Sequence, residues 1–303
     1  MSLSPWKSWR NRKSQAADQK QAVLTEKRRR WRRLNLERLE DRLAPAAPLS
    51  YAITAAGPHA VTLLLNGPDL QIVESADHTN VLASGALAST TEVDVTGSSA
   101  HNDEFTINFA TGDFFSSATF SGGITFSGNT GDADTLIVQG SGTSPASDTS
   151  ANYAPSSSTA GSGSVNVTTP AADPITNINV SFSGLTAVGA AATVQTMAAF
   201  TFTPQGSSAA LTVTSPSSTS NIAGTSGAAI TPVTFFDIPT VTIDASATTA
   251  SDTITVGSSG LAATASTTSR SRRAAATTLS PTMRPALASR SAAAPSPSIA
   301  AAA

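Results

Sequence analysis

The chain holds 303 residues, 40% hydrophobic, 5% aromatic and 13% charged, with no cysteine and a formal net charge of −2. That total hides an uneven layout: thirteen of the eighteen Lys and Arg lie in residues 1–42, five in 270–303, and none in the 227 residues between. The segments carry +8, −15 and +5, so the acidic middle can neither grip phosphates nor build a basic substrate pocket; a disulfide framework is excluded, and no apolar run reaches the roughly 18–20 residues of a membrane helix.

Residues 1–45 read as a basic, targeting-like head. The run Lys27-Arg28-Arg29-Arg30-Trp31-Arg32-Arg33 leads into a segment in which Leu36, Leu39 and Leu43 share one helical face. Glu26 and Arg30 are spaced for an i,i+4 pair. The spacing predicts a short basic helix, which Pro45 and Pro48 end. Thirteen cations with Trp6, Trp9 and Trp31 suit an anionic lipid or wall-polymer interface, and no base-reading module accompanies them, so specific nucleic-acid binding is not expected.

From about residue 50 the period changes to two. Glu92–Val95, Phe105–Phe109, Val165–Val167, Ile178–Phe182, Leu211–Val213, Val241–Ile243 and Ile254–Val256 each alternate apolar with polar and predict short strands with one buried face. Breakers separate them, among them Asn66-Gly67-Pro68-Asp69, Gly122-Gly123, Gly128-Asn129 and Pro204-Gln205-Gly206. All eleven Phe fall between residues 105 and 236, which locates the core. The β body is expected over 50–265. Within it, residues 141–163, rich in Ser, Thr, Gly and Pro around a lone Tyr153, predict a flexible surface loop. From Thr268 on, the alternation gives way to Arg, Ala, Ser and Pro, and residues 268–303 are read as a disordered tail. The same composition is what an out-of-frame reading of a GC-rich gene would produce.

The string Leu36-Glu37-Arg38-Leu39-Glu40-Asp41-Arg42-Leu43-Ala44-Pro45, directly after the arginine run, is the most specific in the chain. It resembles the L-E-x-L-E-[D/P]-R-x-x-P opening of large bacterial surface and extracellular proteins that continue into Gly/Thr/Asp-rich β repeats. Leu36, Glu37, Leu39, Glu40, Asp41, Arg42 and Pro45 carry the resemblance. It implies export and display at the bacterial surface, and brings no single activity with it.

Asp134-Thr135-Leu136-Ile137-Val138 and Asp252-Thr253-Ile254-Thr255-Val256 share the form Asp-Thr-apolar-x-Val, with Asp103-Glu104-Phe105-Thr106-Ile107 a looser copy. Gly131-Asp132-Ala133-Asp134 is similar to part of a calcium-binding nonapeptide, which makes Asp132 and Asp134 the candidate calcium ligands. Aspartates at strand entries also serve as turn formers that bind backbone amides. His59, His78 and His101 lack the clustered spacing of a metal site. Neither G-x-S-x-G nor a P-loop lysine is present, and no catalytic residue is assigned.

Small residues at turns, many short strands and few aromatics favour a parallel β-helix or related solenoid, with a β-sandwich as the alternative. The expected function is structural or adhesive, without catalysis, in an exported surface or extracellular protein. The alternatives are a carbohydrate-binding or polysaccharide-degrading β-helix and a calcium-binding repeat protein. Cell-wall or extracellular polymers are the expected partners. The strand edges carry none of the lysines that usually guard against strand addition, so self-association through edges is a further expectation.

Overall fold

The computed structural model describes residues 46–57, 59–99, 101–129, 132–142, 149–170, 173–185, 191–215, 218–257, 266–270 and 278–279. The basic head, with its predicted helix and targeting-like motif, lies outside the described residues. The chain divides into two compact units, Met1–Ala47 and Pro48–Ala303, and the second carries the β architecture.

Regular structure is all-β. Helix among the described residues is confined to single 3₁₀ turns at Leu87–Ser89, Phe109–Thr111 and Phe114–Ser116. The first eleven strands are β1 (Ala47–Ala52), β2 (Ala60–Asn66), β3 (Asp69–Glu74), β4 (Val81–Ala86), β5 (Thr90–Thr96), β6 (Glu104–Asn108), β7 (Gly123–Ser127), β8 (Thr135–Gln139), β9 (Ser150–Pro155), β10 (Gly163–Thr168) and β11 (Asn177–Ser183). The rest are β12 (Ala192–Gln195), β13 (Ala199–Phe202), β14 (Ala209–Thr214), β15 (Ser220–Ser226), β16 (Ala228–Ala229), β17 (Val233–Phe236), β18 (Thr240–Asp244), β19 (Thr253–Val256), β20 (Ser266–Arg270) and β21 (Thr278–Leu279).

They form two large mixed sheets. Sheet A has ten strands in the order β1-β5-β7-β11-β10-β9-β13-β18-β20-β21; sheet B has eleven, β19-β14-β15-β17-β12-β8-β6-β2-β3-β4, with β16 attached to β15. Two habits of the chain generate these orders. It alternates between the sheets, and each arriving strand pairs in parallel with one laid down earlier: β7 on β5, β8 on β6, β12 on β8, β13 on β9, β18 on β13. It also inserts three-stranded antiparallel meanders. In β9–β10–β11 and β14–β15–β17 the third strand turns back to an earlier neighbour (β11 to β7, β17 to β12), while the first strand receives a later one (β13 on β9, β19 on β14). The meander β2–β3–β4 follows the same plan: β2 receives β6 in parallel, and β4 ends the sheet.

The alternation in sequence places the core. Phe105 and Ile107 in β6, Val180 in β11 and Val241 and Ile243 in β18 point inward and are buried, while the residues between them face out. The inner faces of both sheets share one apolar cluster. Rings cross it: Phe105 of β6 meets Phe126 of β7 at 5.4 Å between centroids, and Phe200 of β13 meets Phe235 of β17 at 5.4 Å. One fully buried aromatic pair of this kind contributes about 0.5–1.5 kcal/mol beyond its area.

Two expectations need correction. The stretch 141–163 is not one loop: β9 runs through Ser150–Pro155 at the centre of sheet A. Ala151 and Tyr153 point inward, and Tyr153 is fully buried between Phe182 and Phe202, its hydroxyl donating to the Thr231 carbonyl at 3.1 Å. With Pro155 also buried, three inward residues are enough to hold this central strand, whose other residues are Ser150, Asn152 and Ala154. The boundary at Thr268 also falls inside a strand, because β20 pairs in parallel with β18, and β21 pairs back on β20. The other tail residues lie outside the described set.

Local strain marks the corner where sheet B hands over to sheet A. Thr196 and Asp237 hold left-handed φ values of 55° and 53° one residue past the paired positions Gln195 and Phe236. Such backbone costs about 1–2 kcal/mol in a residue such as Thr196 and less in Asp237, since aspartate visits this region more readily. The following side chains, Met197 and Ile238, are buried and offset that cost.

Candidate functional site: an aspartate ladder at the strand entries

Strands β5 and β7 end in the same way. Thr96 pairs with Ser127 and Ser127 with Ser183, so Gly97, Gly128 and Gly184 line up one residue beyond the strands. The Gly97 amide donates to the Ser127 carbonyl at 2.8 Å, and the Gly128 amide to the Ser183 carbonyl at 2.8 Å. A Cβ on Gly128 would lie 2.6 Å from Asp134 Oδ2, and one on Gly97 would lie 3.1 Å from Asp103 Oδ2. Glycine is required here because the carboxylates sit against the backbone.

The aspartates enter six residues after each of the first two glycines and immediately before β6 and β8. Glu104 pairs with Thr135, which puts Asp103 beside Asp134. Asp134 Oδ1 accepts the Asp103 amide at 2.9 Å and Oδ2 accepts the Asn129 amide at 2.7 Å. Asp103 repeats the pattern: Oδ2 accepts the Ser98 amide, and Oδ1 takes His59 Nδ1–H at 2.8 Å. The Asn129 side chain donates to the Gly97 carbonyl at 2.8 Å, and Asn102 accepts the Ala133 amide at 2.9 Å, tying one turn to the next. A third copy stands at β19, where Asp252 Oδ1 accepts the Ala209 amide at 2.9 Å and Oδ2 accepts the Thr248 hydroxyl at 2.5 Å. All three members of the Asp-Thr-apolar-x-Val series therefore cap backbone amides at strand entries.

Asp103 and Asp134 are both almost fully buried, at 1% and 0% exposure. Burial pushes the Asp134 carboxyl above the usual carboxylate range; the amides of Asp103 and Asn129 pull it back in part, and the neighbouring Asp103 and Asp132 charges raise it further. Asp132 sits half-buried just upstream. Among the described residues no three His, Asp or Glu side chains converge as a metal-ligand set, and Asp132 and Asp134 are not joined by a third ligand.

Sequence spacing gave no sign that two of the three histidines meet. The parallel register of β2 on β6 brings His59 level with Asp103. His101 then stacks on His59, with ring centroids 4.2 Å apart and planes 19° from parallel. The only sequence signal was the looser motif copy at Asp103, which marks the position but not its neighbour across the sheet. The His59–Asp103 pair has the bond of a base to its orienting carboxylate. Among the described residues no nucleophile is seen bonded to the base, and the buried Ser98 hydroxyl has no hydrogen-bond partner there. Elsewhere, a cleft of about 270 Å³ opens beside Phe109 and Phe115, with Asp113 and Asp173 on its wall; Asp113 is occupied in capping the Phe115 amide at 3.0 Å.

A pH-dependent prediction follows from the ladder. Asp134→Asn should cost about 1–3 kcal/mol, since a carboxamide accepts at only one of the two atoms that now receive amides. The protonated carboxyl still accepts at both oxygens. Because the folded-state value of Asp134 is raised, its contribution is complete below the ordinary carboxylate pKa and lost as pH rises through the folded value. The stability gap between wild type and Asp134→Asn in urea unfolding should therefore be larger near pH 4, about the unperturbed carboxylate value, than at neutrality. An equal gap at both pH values would contradict the raised pKa.

Fold and site together define a class: an all-β protein of two mixed sheets whose buried polar network caps strands. Comparison with protein-family models, curated proteins and solved structures finds no match to this chain.

Proposed function

We propose that this chain is an exported structural or adhesive protein of the bacterial surface, and that its body is a two-sheet β-solenoid serving as an extended, chemically quiet wall. The alternation of the chain between two sheets, in parallel register over one continuous core, carries this reading. Such a body grows by adding circuits, each needing only a few inward side chains. The ladder at Asp103, Asp134 and Asp252 supports it too, because these carboxylates are spent on backbone amides. The outward faces are dominated by Ser, Thr and Asn without a single Lys or Arg from residue 43 to 269, a composition suited to contact with hydrated wall or matrix polymers.

Localisation tests the reading. Antibodies against the body should label intact cells or the medium in fractionated native cultures, and a purely cytoplasmic signal would overturn it. A panel of acidic and neutral glycans adds a second arm: turnover would replace the proposal with an enzyme, and tight saturable binding to one glycan with a carbohydrate-binding module.

A further inference from the structure

The outer edges of sheet B complement each other. We propose that copies of this protein stack head to tail, the edge of β19 in one copy adding in parallel to the edge of β4 in the next, both edges being open among the described residues. The idea rests on the wall reading and deepens it by naming the partner as a second copy of the chain.

Direction comes first. In sheet B every main strand except β3 and β15 runs the same way, so β19 and β4 are parallel, at opposite ends of one sheet. The other two meanders show what belongs beside a third strand. β11 carries β7 and β17 carries β12, each in parallel, and β4 is the third strand whose corresponding side is open among the described residues.

Backbone parity also agrees. The Leu87 amide donates to the Pro68 carbonyl at 2.9 Å. Along an antiparallel ladder the bonded positions alternate, so Gly85 and Ala83, paired with Leu70 and Ile72, turn their backbone groups toward β3, and Ser84 turns its own outward. On β19 the Gly257 amide donates to the Val213 carbonyl at 2.8 Å, so Thr253 and Thr255 bond toward β14, and Ile254 and Val256 present free groups to the edge. The faces match as well. Ala83 and Ile254 both pack against the core, and Gly85 faces Leu49, while Ser84, Thr253 and Thr255 are exposed. In a parallel pair one residue bonds across and its partner bonds away, with both side chains on the same face. Pairing Ile254 with Ala83, Thr255 with Ser84 and Val256 with Gly85 meets both conditions.

Packing and charge point the same way. Inward residues of interior strands are buried, but Ile254 and Val256 stay half-exposed, opposite the small Ala83 and Gly85. Neither edge strand contains a charged residue, and Val81 on β4 is the one large apolar side chain that is openly exposed among the described residues. The bulge between Ile72 and Val73 interrupts only the start of β4. Because the two surfaces differ, the contact is heterologous, and because β19 and β4 lie at opposite ends of one sheet, each added copy continues that sheet outward, so the proposed contact extends into open filaments.

Sedimentation velocity and negative-stain microscopy of the full chain at moderate salt test this with two edge variants. Ser84→Pro removes the outward amide of β4 and breaks no bond to β3; Ser84→Lys is the substitute should the proline variant lose its strand signal by circular dichroism. Thr253→Lys with Thr255→Lys places charges on β19. Wild type should form concentration-dependent chains, each variant alone should be monomeric, and an equimolar mixture should give a dimer and nothing larger. A wild type that stays monomeric at every concentration, a β19 variant that dimerises alone, or variants that still elongate would each overturn the proposal. A monomeric protein found at the cell surface would remove the assembly and leave the proposed role standing.

Discussion

Replacing Gly184 with alanine is expected to destabilise the β body by about 4 kcal/mol, at the upper end of what one substitution does. Gly184 holds φ at +76°, and its hypothetical Cβ falls onto the backbone carbonyl of Gly128. Two effects add. The left-handed backbone costs an alanine about 1–2 kcal/mol, and the clash is with main chain that cannot swing aside. Gly128 cannot yield freely, because its amide holds the Ser183 carbonyl and its own Cα position packs against Asp134. Gly67→Ala is the control: φ is +61°, yet no atom lies within 4 Å of the added carbon. Urea unfolding followed by far-ultraviolet circular dichroism should rank the two variants clearly. If Gly184→Ala loses no more than Gly67→Ala, the turns do not stack as described.

Tyr153→Ala should be nearly as costly, about 3–5 kcal/mol, the range for removing a buried aromatic side chain. The ring is fully buried, 5.6 Å from Phe182 and 5.5 Å from Phe202 between centroids. Tyr153→Phe keeps those contacts and loses only the bond to the Thr231 carbonyl, a loss of about 1 kcal/mol. Proteolysis gives an independent readout. The body from 43 to 269 offers trypsin no Lys or Arg, so a protease that cuts after apolar residues is needed. It should digest Tyr153→Ala quickly and leave Tyr153→Phe close to wild type. Equal resistance of the alanine variant would mean that β9 contributes little to the core and that the loop expected over 141–163 describes the segment better.

The ladder suggests how a body poor in large side chains is held in register. Apolar burial supplies most of the driving force but is non-directional, so a strand can slip by two residues and keep its inward pattern. The carboxyl groups of Asp134 and Asp252 bind amides at single positions at the entries of neighbouring strands, and slippage would leave the buried Asp134 without its donors. Such a penalty distinguishes one register from its alternatives more sharply than apolar contact does.

The period-two pattern determined what is local. Phe105 and Ile107, Ile178, Val180 and Phe182, and Val241 and Ile243 alternate so regularly that their strands and buried faces could be read before any neighbour was known. The three aspartates at strand entries were visible as a repeated string for the same reason. Tertiary structure alone decided what depends on residues distant in sequence. Tyr153 sits in a stretch of small polar residues, and only Phe182 and Phe202, brought up by pairing within sheet A, make its strand central. His59 and His101 are far apart in the chain and become stacked rings because β2 lies on β6. Thr196 and Asp237 take left-handed backbone that neither prefers, since the corner must bury Met197 and Ile238. Side-chain alternation is a property of one strand. Sheet order and register follow from the burial and hydrogen bonding of many strands at once, which no single segment encodes.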